Sequence, residues 1–467
     1  MDKKSKRLKH VRKKKTEDQP DTSETAEDWG SLPEVCLLHI FGFLEDKDRR
    51  SADLTCRHWH SVMRSPSLWR SRSFLFTGHR TIYKLSECCS AVAYAKSLGR
   101  YLWTMEVFVK LPRKSTVTRR IEEAVSALLS ELTRVGALVR SISVLMLELD
   151  QPPWTSSLRA SLVSSLIAFF QIGGSRLTSV NLYGMRNNLA HGLAVLSALD
   201  HAQKHSSPWG SISNLDLRGF FSSSVDVSAN PQVPSILGQL RSITSLHLNY
   251  SYLSDELLTA LQHVPQAQGV SGDGKPLQWL YLDCCSEGHH QQKLVSGSSW
   301  RALVSTCPEL KVRLKLHQIT DTNWLTRILL PQIPMTEFLI TAFTSSPGGW
   351  NARPLLQDLL PQYRHSLQRL DLYLNDHDES VNEQLLELVM QCEHLQELTV
   401  WAHLHIPTVE KLLNIRLKKR VLLNKITMKI LSRIRDIGEL EEQLEQVTSS
   451  FQLPPELELN ATVHPFG

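Results

Sequence analysis

Apolar residues recur along the chain in one short phrase: an aliphatic residue, two others, an aliphatic, one other, an aliphatic. It reads LTSVNL from Leu177, ISNLDL from Ile212, ITSLHL from Ile243, LQWLYL from Leu277, LQRLDL from Leu367 and LQELTV from Leu395, with weaker copies from Leu102, Val139, Leu310 and Thr336. The phrase alternates as a half-buried strand does. Between copies lie stretches with helical spacing, such as SDELLTALQHV at 254–264 and NEQLLELVMQC at 382–392. Starts fall about 26 to 38 residues apart, the regime of solenoids in which each unit is one strand and one helix stacked on the next. The pattern therefore predicts an α/β solenoid over residues 102–467 that closes on a C-terminal cap, preceded by a helical linker at 79–101. Residues 317–366 carry the pattern weakly.

A different pattern stands in front. In SLPEVCLLHIFGFLEDKDRR, residues 31–50, Ser31 and Glu34 have the spacing of a capping box, and Pro33 suits a first helical turn. Val35, Leu38, Ile40, Phe41, Phe43 and Leu44 follow so closely that the helix is apolar over more than one face. Asp48 is placed to cap a second helix with Ala52, Cys56, Trp59 and Met63 on one side. SPSLW then breaks it and adds Leu68 and Trp69 to the same cluster. A module of about forty residues cannot bury that much apolar surface alone, which implies a staple, a metal or a partner.

Charge changes the picture only at the start. The net charge of +5 over 467 residues excludes nothing, but residues 3–15 hold nine Lys or Arg and no acid, and Glu17, Asp18, Asp21, Glu24, Glu27 and Asp28 follow. Two opposed charge blocks without aromatics predict a disordered tail over 1–28, suited to nuclear import more than to contact with nucleic acid. The eight cysteines include the adjacent pairs Cys88–Cys89 and Cys284–Cys285 and no CxxC, the usage of a reduced, intracellular chain. No run approaches the roughly 18 apolar residues of a membrane span, so a cytoplasmic or nuclear protein without a membrane partner is expected.

At this point the residues resemble a family. LPEVCLLHIFGFL followed by LTCRHWHSVMRSPSLWR is similar to the F-box, whose marks are an L-P pair, an aliphatic helix, a C-x-x-W segment and a terminal L-W. Cys36 and His39 stand where that family often has aliphatic residues. The resemblance assigns 29–78 to the F-box and implies that Leu32, Pro33, Ile40, Phe41, Leu44, Trp59, Leu68 and Trp69 meet a Skp adaptor, and through it cullin and RING subunits. An F-box followed by irregular leucine-rich repeats resembles the substrate receptors of SCF ubiquitin ligases. A narrower resemblance, to one branch of F-box-only proteins, rests on GRYLWTMEV, LSDELLTAL, RILLPQIP and RPLLQDLLPQYRHSLQRL and extends over most of 29–430.

In such a solenoid, the residues between and just beyond the buried aliphatics form rungs on the open face of the strands. These are Asn181 and Tyr183; Asp216 and Arg218; His247 and Asn249; Trp279, Tyr281 and Asp283; Asp371 and Tyr373; and Trp401. Tyr, Trp and Arg beside polar groups compose a protein-binding patch, and the Trp279–Tyr281 rung is expected to be its centre. No G-x-S-x-G, complete G-x-x-x-x-G-K-[ST] or H-E-x-x-H occurs, since Gly269–Lys275 has the spacing of the second but is followed by Pro276, so a non-catalytic chain without cofactor is expected. Cys284, Cys285, His289 and His290 are zinc-ligand types, but adjacent thiols on a strand point to opposite faces, and no metal is expected.

Overall fold

The computed structural model describes residues 29–78, 86–204, 211–262, 275–285, 294–318, 321–343, 350–375, 381–432 and 437–465. The charged tail at 1–28, His289 and His290 lie outside the described residues. The chain divides into two compact units, Met1–Trp69 and Arg70–Gly467.

The first unit holds three short helices, α1 (Glu34–Gly42), α2 (Asp46–Asp53) and α3 (Arg57–Met63), then a 3-10 turn at Pro66–Trp69. Pro33 rather than Ser31 caps α1, and no side chain bonds there, so the expected capping box does not form. The single helix expected after Asp48 is two. Its break falls at Cys56, whose thiol accepts the Trp59 amide at 3.4 Å and so starts α3. Leu37, Phe41, Ala52, Val62, Met63 and Leu68 form the core. The Arg49 guanidinium ties its parts together by donating to the carbonyls of Phe41, Gly42 and Leu68 at 3.2, 3.2 and 2.8 Å.

Among the described residues, the second unit holds one parallel sheet of thirteen strands in sequential order. They are β1 (Ser71–Phe76), β2 (Thr104–Val109), β3 (Ser141–Leu145), β4 (Ser179–Asn181), β5 (Asn214–Asp216), β6 (Ser245–Asn249) and β7 (Trp279–Cys285), followed by β8 (Lys311–His317), β9 (Met335–Phe343), β10 (Arg369–Asn375), β11 (Glu397–His403), β12 (Lys425–Ser432) and β13 (Glu458–Pro465). The connecting helices are α4 (Glu87–Leu98), α5 (Ser115–Arg134), α6 (Ser156–Gly173), α7 (Leu189–Lys204), α8 (Gln232–Gln239), α9 (Asp255–Ala260) and α10 (Gly297–Thr306), then α11 (Thr322–Ile328), α12 (Asn382–Gln391), α13 (Ile406–Lys418) and α14 (Ile437–Ser449), with a helical turn at Leu355–Tyr363 before β10.

The phrases become strands whose aliphatics point inward, except that the copy from Thr336 is one residue out of step: Met335, Phe338 and Ile340 are buried and Leu339 is on the open face. Leu177, Val180 and Leu182 are fully or almost fully buried, as are Leu367, Leu370 and Leu372. The second position of several phrases is polar because it bonds across rungs: the hydroxyls of Thr178, Ser213 and Thr244 donate to the carbonyls of Arg140, Thr178 and Ser213.

The repeat starts earlier than expected. β1 pairs with β2 along its whole length, and α4 packs on α5, so the end of the segment expected as F-box supplies the first strand of the solenoid and the expected linker its first helix. α14 and β13 continue the alternation where a cap is expected. The stretch from α6 to Arg176 is long and apolar enough by length and composition to cross a membrane, contrary to the reading from run length. Its Leu162, Val163, Leu166, Phe169 and Phe170 pack in the solenoid core.

Candidate functional site

Both units present surfaces whose composition their own folding does not explain. On the first, the expected docking residues separate into two groups. Phe41 and Leu68 are interior, at 1% and 5% exposure, and belong to the core rather than to a docking face. Leu32, Leu44, Trp59 and Trp69 are half-buried around that core, while Pro33 and Ile40 are exposed. The indole of Trp69 donates to Met63 O at 2.8 Å and that of Trp59 to Trp29 O at 3.2 Å, which fixes both rings. The most exposed apolar side chains are Val35, Phe43 and Leu54, at 77%, 78% and 85%. The sequence pattern supplies Val35 and Phe43 as apolar helix positions, but only the fold shows which way they face.

On the second unit, helices cover one face of the sheet and leave the other open, and strand register aligns its side chains into rows. One row runs Ser73, Glu106, Ser143, Asn181, Asp216, His247, Tyr281, Arg313, Glu337, Arg369, Glu397, Lys425, Glu458. From Arg313 onward its charges alternate in sign. Arg313–Glu337, Arg369–Glu397 and Lys425–Glu458 pair at 3.4, 3.0 and 3.0 Å, and Arg369 also reaches the buried Asp371 at 2.8 Å. That half of the face is largely self-neutralised.

Six of the expected target residues come together at the middle. Arg218 forks onto Asp216 through Nε at 3.1 Å and Nη2 at 2.7 Å, and reaches Asp283 through Nη1 at 3.2 Å. Burial alone would lower its pKa, but the hydrogen bonds and charges of Asp216 and Asp283 outweigh burial and hold it above its usual range. Beside it, His247 stacks on Tyr281 at 4.0 Å between ring centres, Tyr281 on Trp279 at 5.5 Å, and the Lys311 ammonium lies 5.3 Å from the Trp279 ring. The ring faces of the rung expected as the hot spot are thus largely taken by one another. Asn249 turns aside to accept the Gly219 amide. Tyr373 and Trp401 form a separate edge-to-face pair with centroids 6.2 Å apart, and Lys429 lies over the Trp401 ring.

His247 couples this cluster to pH. Burial, with smaller contributions from the Arg218 and Arg313 charges, pushes its imidazole below the ordinary value of 6.5. Its stabilising effect is present above about pH 6.5 and falls away on acidification, because the unfolded chain takes up a proton that the folded chain refuses. His317 is lowered for the same first reason. Taking wild type from neutral to about pH 5.5 should lower the thermal midpoint, and His247→Gln should show a smaller drop; an identical drop in both would remove His247 from the account.

The sequence reading missed the loops after β3 and β4. Met146, Glu148 and Arg186 hold φ of 57°, 46° and 52°, a left-handed backbone that non-glycine residues rarely adopt. There the Arg186 guanidinium lies 3.9 Å from Glu148 and 4.0 Å from Asp150, and Ser222 donates to Asp150 at 3.0 Å. A cleft of about 200 Å³ opens beside them, lined in part by Arg186, Ser222, Asn249 and Asp283. No glycine marks these three positions, so nothing in the sequence signals the turn. Cys284 is buried with its thiol pKa pushed up by that burial, and Cys285 is exposed, as expected of neighbours on one strand.

Comparison with known proteins comes down on both units. Residues 29–75 match the family model for the F-box-like domain. F-box/LRR-repeat protein 21 of Ovis aries is 25% identical over 289 residues, covering 61% of this chain and 59% of its own length. The Mus musculus protein of the same name is 26% identical over 294 residues with the same coverage. This chain therefore spans less than two thirds of the length of those curated relatives. Among solved structures, the leucine-rich repeat-containing protein LegL7 from Legionella pneumophila aligns over 82% of this chain and 99% of its own, with a TM-score of 0.36 and 15% identity. The Rad7 and Elc1 complex in yeast aligns over 79% and 88%, with a TM-score of 0.34 and 12% identity. The family model and the relatives' name speak to an F-box-like domain and leucine-rich repeats, and not to a narrower branch of relatives. The chain is an F-box-like domain followed by a leucine-rich-repeat body of parallel strands and helices.

Proposed function

We propose that this chain is the non-catalytic substrate receptor of an SCF-type ubiquitin ligase. The F-box unit binds a Skp adaptor, and through it cullin and RING subunits, while the open face of the solenoid holds a target protein for ubiquitination. The observation that carries the reading is the outward set of Val35, Ile40, Phe43 and Leu54 on a unit whose core, among the described residues, is six side chains. So much apolar surface on so small a unit is the mark of a protein interface. The receptor contributes no chemical group to catalysis: holding the target beside the charged ubiquitin carrier raises the rate by proximity. Affinity capture of the full chain, with proteasome and cullin neddylation inhibited, tests it against a chain lacking residues 29–69. Adaptor and cullin retained only by the full chain support the receptor. Adaptor without cullin supports a scaffold outside the ligase and overturns the proposal.

Within this reading the Trp279–Tyr281 rung shapes the target face more than it grips the target. Replacing both by Ala removes two stacked pairs of about 0.5–1.5 kcal/mol each, and the contact of the Lys311 ammonium with the Trp279 ring. The double variant should lose thermal stability as well as target, with adaptor retained because the F-box is a separate unit. An unchanged melt with target lost would restore the two rings as the hot spot.

A further inference from the structure

The open face changes character along its length. Leu75, Phe108 and Leu145 stand in register on β1, β2 and β3. Tyr183 continues their row beyond β4, its carbonyl accepting the Met146 amide at 2.9 Å. Leu75, Phe108 and Tyr183 are 58%, 41% and 39% exposed, and Leu145 is half-buried. At the next rung the row turns polar with Arg218, and among its later members Asp283, Lys315, Leu339 and Asp371 only the half-buried Leu339 is apolar, while both carboxylates are bonded to arginines. Four successive rungs therefore carry an apolar stripe, bordered at its last member by the Arg218 guanidinium, 5.3 Å from the Tyr183 ring. Alongside it runs a row of mostly small side chains, Ser73, Glu106, Ser143 and Asn181, which leaves room for a backbone to approach. Glu106 accepts from the Ser73 hydroxyl at 2.5 Å, and no cation pairs with it among the described residues.

Spacing decides what fits. Neighbouring strands lie about 4.8 Å apart, so the stripe is about 14 Å long. A helix lying along it presents same-face side chains about 5–6 Å apart at i, i+3 or i+4, and i+7, and keeps step with the rungs. An extended segment in the same direction presents them about 6.7 Å apart and slips by a whole rung over the stripe.

We propose that Leu75, Phe108, Leu145 and Tyr183 dock an amphipathic helix of the target protein, with an apolar stripe against these four side chains and a Lys or Arg at its edge against Glu106. This inference rests on the reading of the solenoid as a target receptor. It places the apolar anchor of recognition at the N-terminal strands and leaves the self-paired charges of the later strands as surroundings. Helix-in-groove recognition of this kind depends on anchors at helical spacing, and a few of them carry most of the affinity.

The test uses the full chain bound to its adaptor and two labelled peptides of identical Leu and Lys composition, one with Leu at helical spacing and one with Leu at alternate positions. Fluorescence anisotropy should show the helical-period peptide binding about tenfold tighter than the alternating one. Leu75→Ala with Phe108→Ala should lose about tenfold, and Glu106→Gln a smaller factor. Phe108→Lys, at an exposed position, should abolish the preference with the thermal midpoint unchanged. Ile172→Ala, at a position 68% exposed on α6 and not on the sheet, serves as the control for non-specific adsorption. Equal binding of the two peptides, or equal binding by wild type and the Leu75 and Phe108 variants, overturns the inference. So does a sedimenting dimer that the same substitutions dissolve, which would assign the stripe to a second copy of the chain. Adaptor capture by the same preparations keeps the two readings apart: adaptor retained with peptide binding insensitive to the stripe sinks the docked helix alone, and adaptor lost by wild type sinks the receptor.

Discussion

Replacing Phe43 and Leu54 together by Asp should abolish co-purification of the Skp adaptor and leave the thermal melt of the chain where it was. Both side chains stand in solvent, at 78% and 85% exposure, so little packing is lost in the free chain. In the complex each would have to carry a charge into an apolar contact. Central interface anchors cost about 2 kcal/mol or more each on truncation, so two charged replacements amount to at least a thousandfold in affinity. Phe41→Ala should behave in the opposite way. Phe41 is 1% exposed, packs edge-to-face on Trp59 at 5.0 Å and belongs to a core of six residues. Removing it should cost about 3–5 kcal/mol, enough to unfold so small a unit and lose the adaptor through loss of the fold. Protease sensitivity of residues 29–69 distinguishes the two: Phe43→Asp with Leu54→Asp should stay resistant, and Phe41→Ala should be cleaved. If the exposed pair could be charged and the adaptor still bound, docking would run through another surface.

Those two phenylalanines show where sequence reasoning reaches and where it stops. The density of apolar residues from Val35 to Leu44 announces surplus surface, because no single helix face holds them all. It does not say which residues are the surplus, since that depends on where α3 and the 3-10 turn pack, and their start at Cys56 is set by a thiol cap with no strong propensity signal. In the body, alternation around Leu177, Ile212, Ile243, Leu277, Leu367 and Leu395 is legible because each strand buries one face on its helix. β1 escapes the same reading because Arg72 occupies the first inward position, ahead of Phe74 and Phe76. The protein accommodates it by laying the guanidinium 4.9 Å from the Tyr94 ring, with burial lowering its pKa. β12 is a different omission: Leu423, Ile426 and Met428 keep the phrase in less usual residues, and all three are fully buried. For the open face, period two assigns the row of each residue but not its pairing across rungs. That Arg218 is held by residues two and sixty-five positions away is a property of register, which only the stacked strands supply.

That clamp gives the second large effect. Asp216→Ala is expected to destabilise the solenoid by about 2–3 kcal/mol, read as a lower urea midpoint. The Asp216 side chain is 7% exposed and accepts both the Arg218 fork and the Arg218 backbone amide, so its loss strands a cation that is itself only 27% exposed. Breaking a fully buried pair costs about 3–5 kcal/mol, and the smaller figure here allows for that residual exposure and for Asp283, which stays in place. Asp216→Asn keeps the shape and an acceptor, and should cost about half as much. Arg218→Leu removes the cation between two carboxylates and should be destabilising in its own right, yet combining it with Asp216→Ala should cost less than the sum, because the stranded charge is gone. Additive losses would mean the fork holds nothing and the two residues act separately. The clamp also bears on recognition. Arg218 lies 5.3 Å from the Tyr183 ring, the last member of the apolar stripe, so releasing it frees Tyr183 to move. Asp216→Ala should therefore weaken binding of the helical-period peptide under conditions where the solenoid is still folded, while Asp371→Asn, far along the same sheet, should lower stability without touching that affinity.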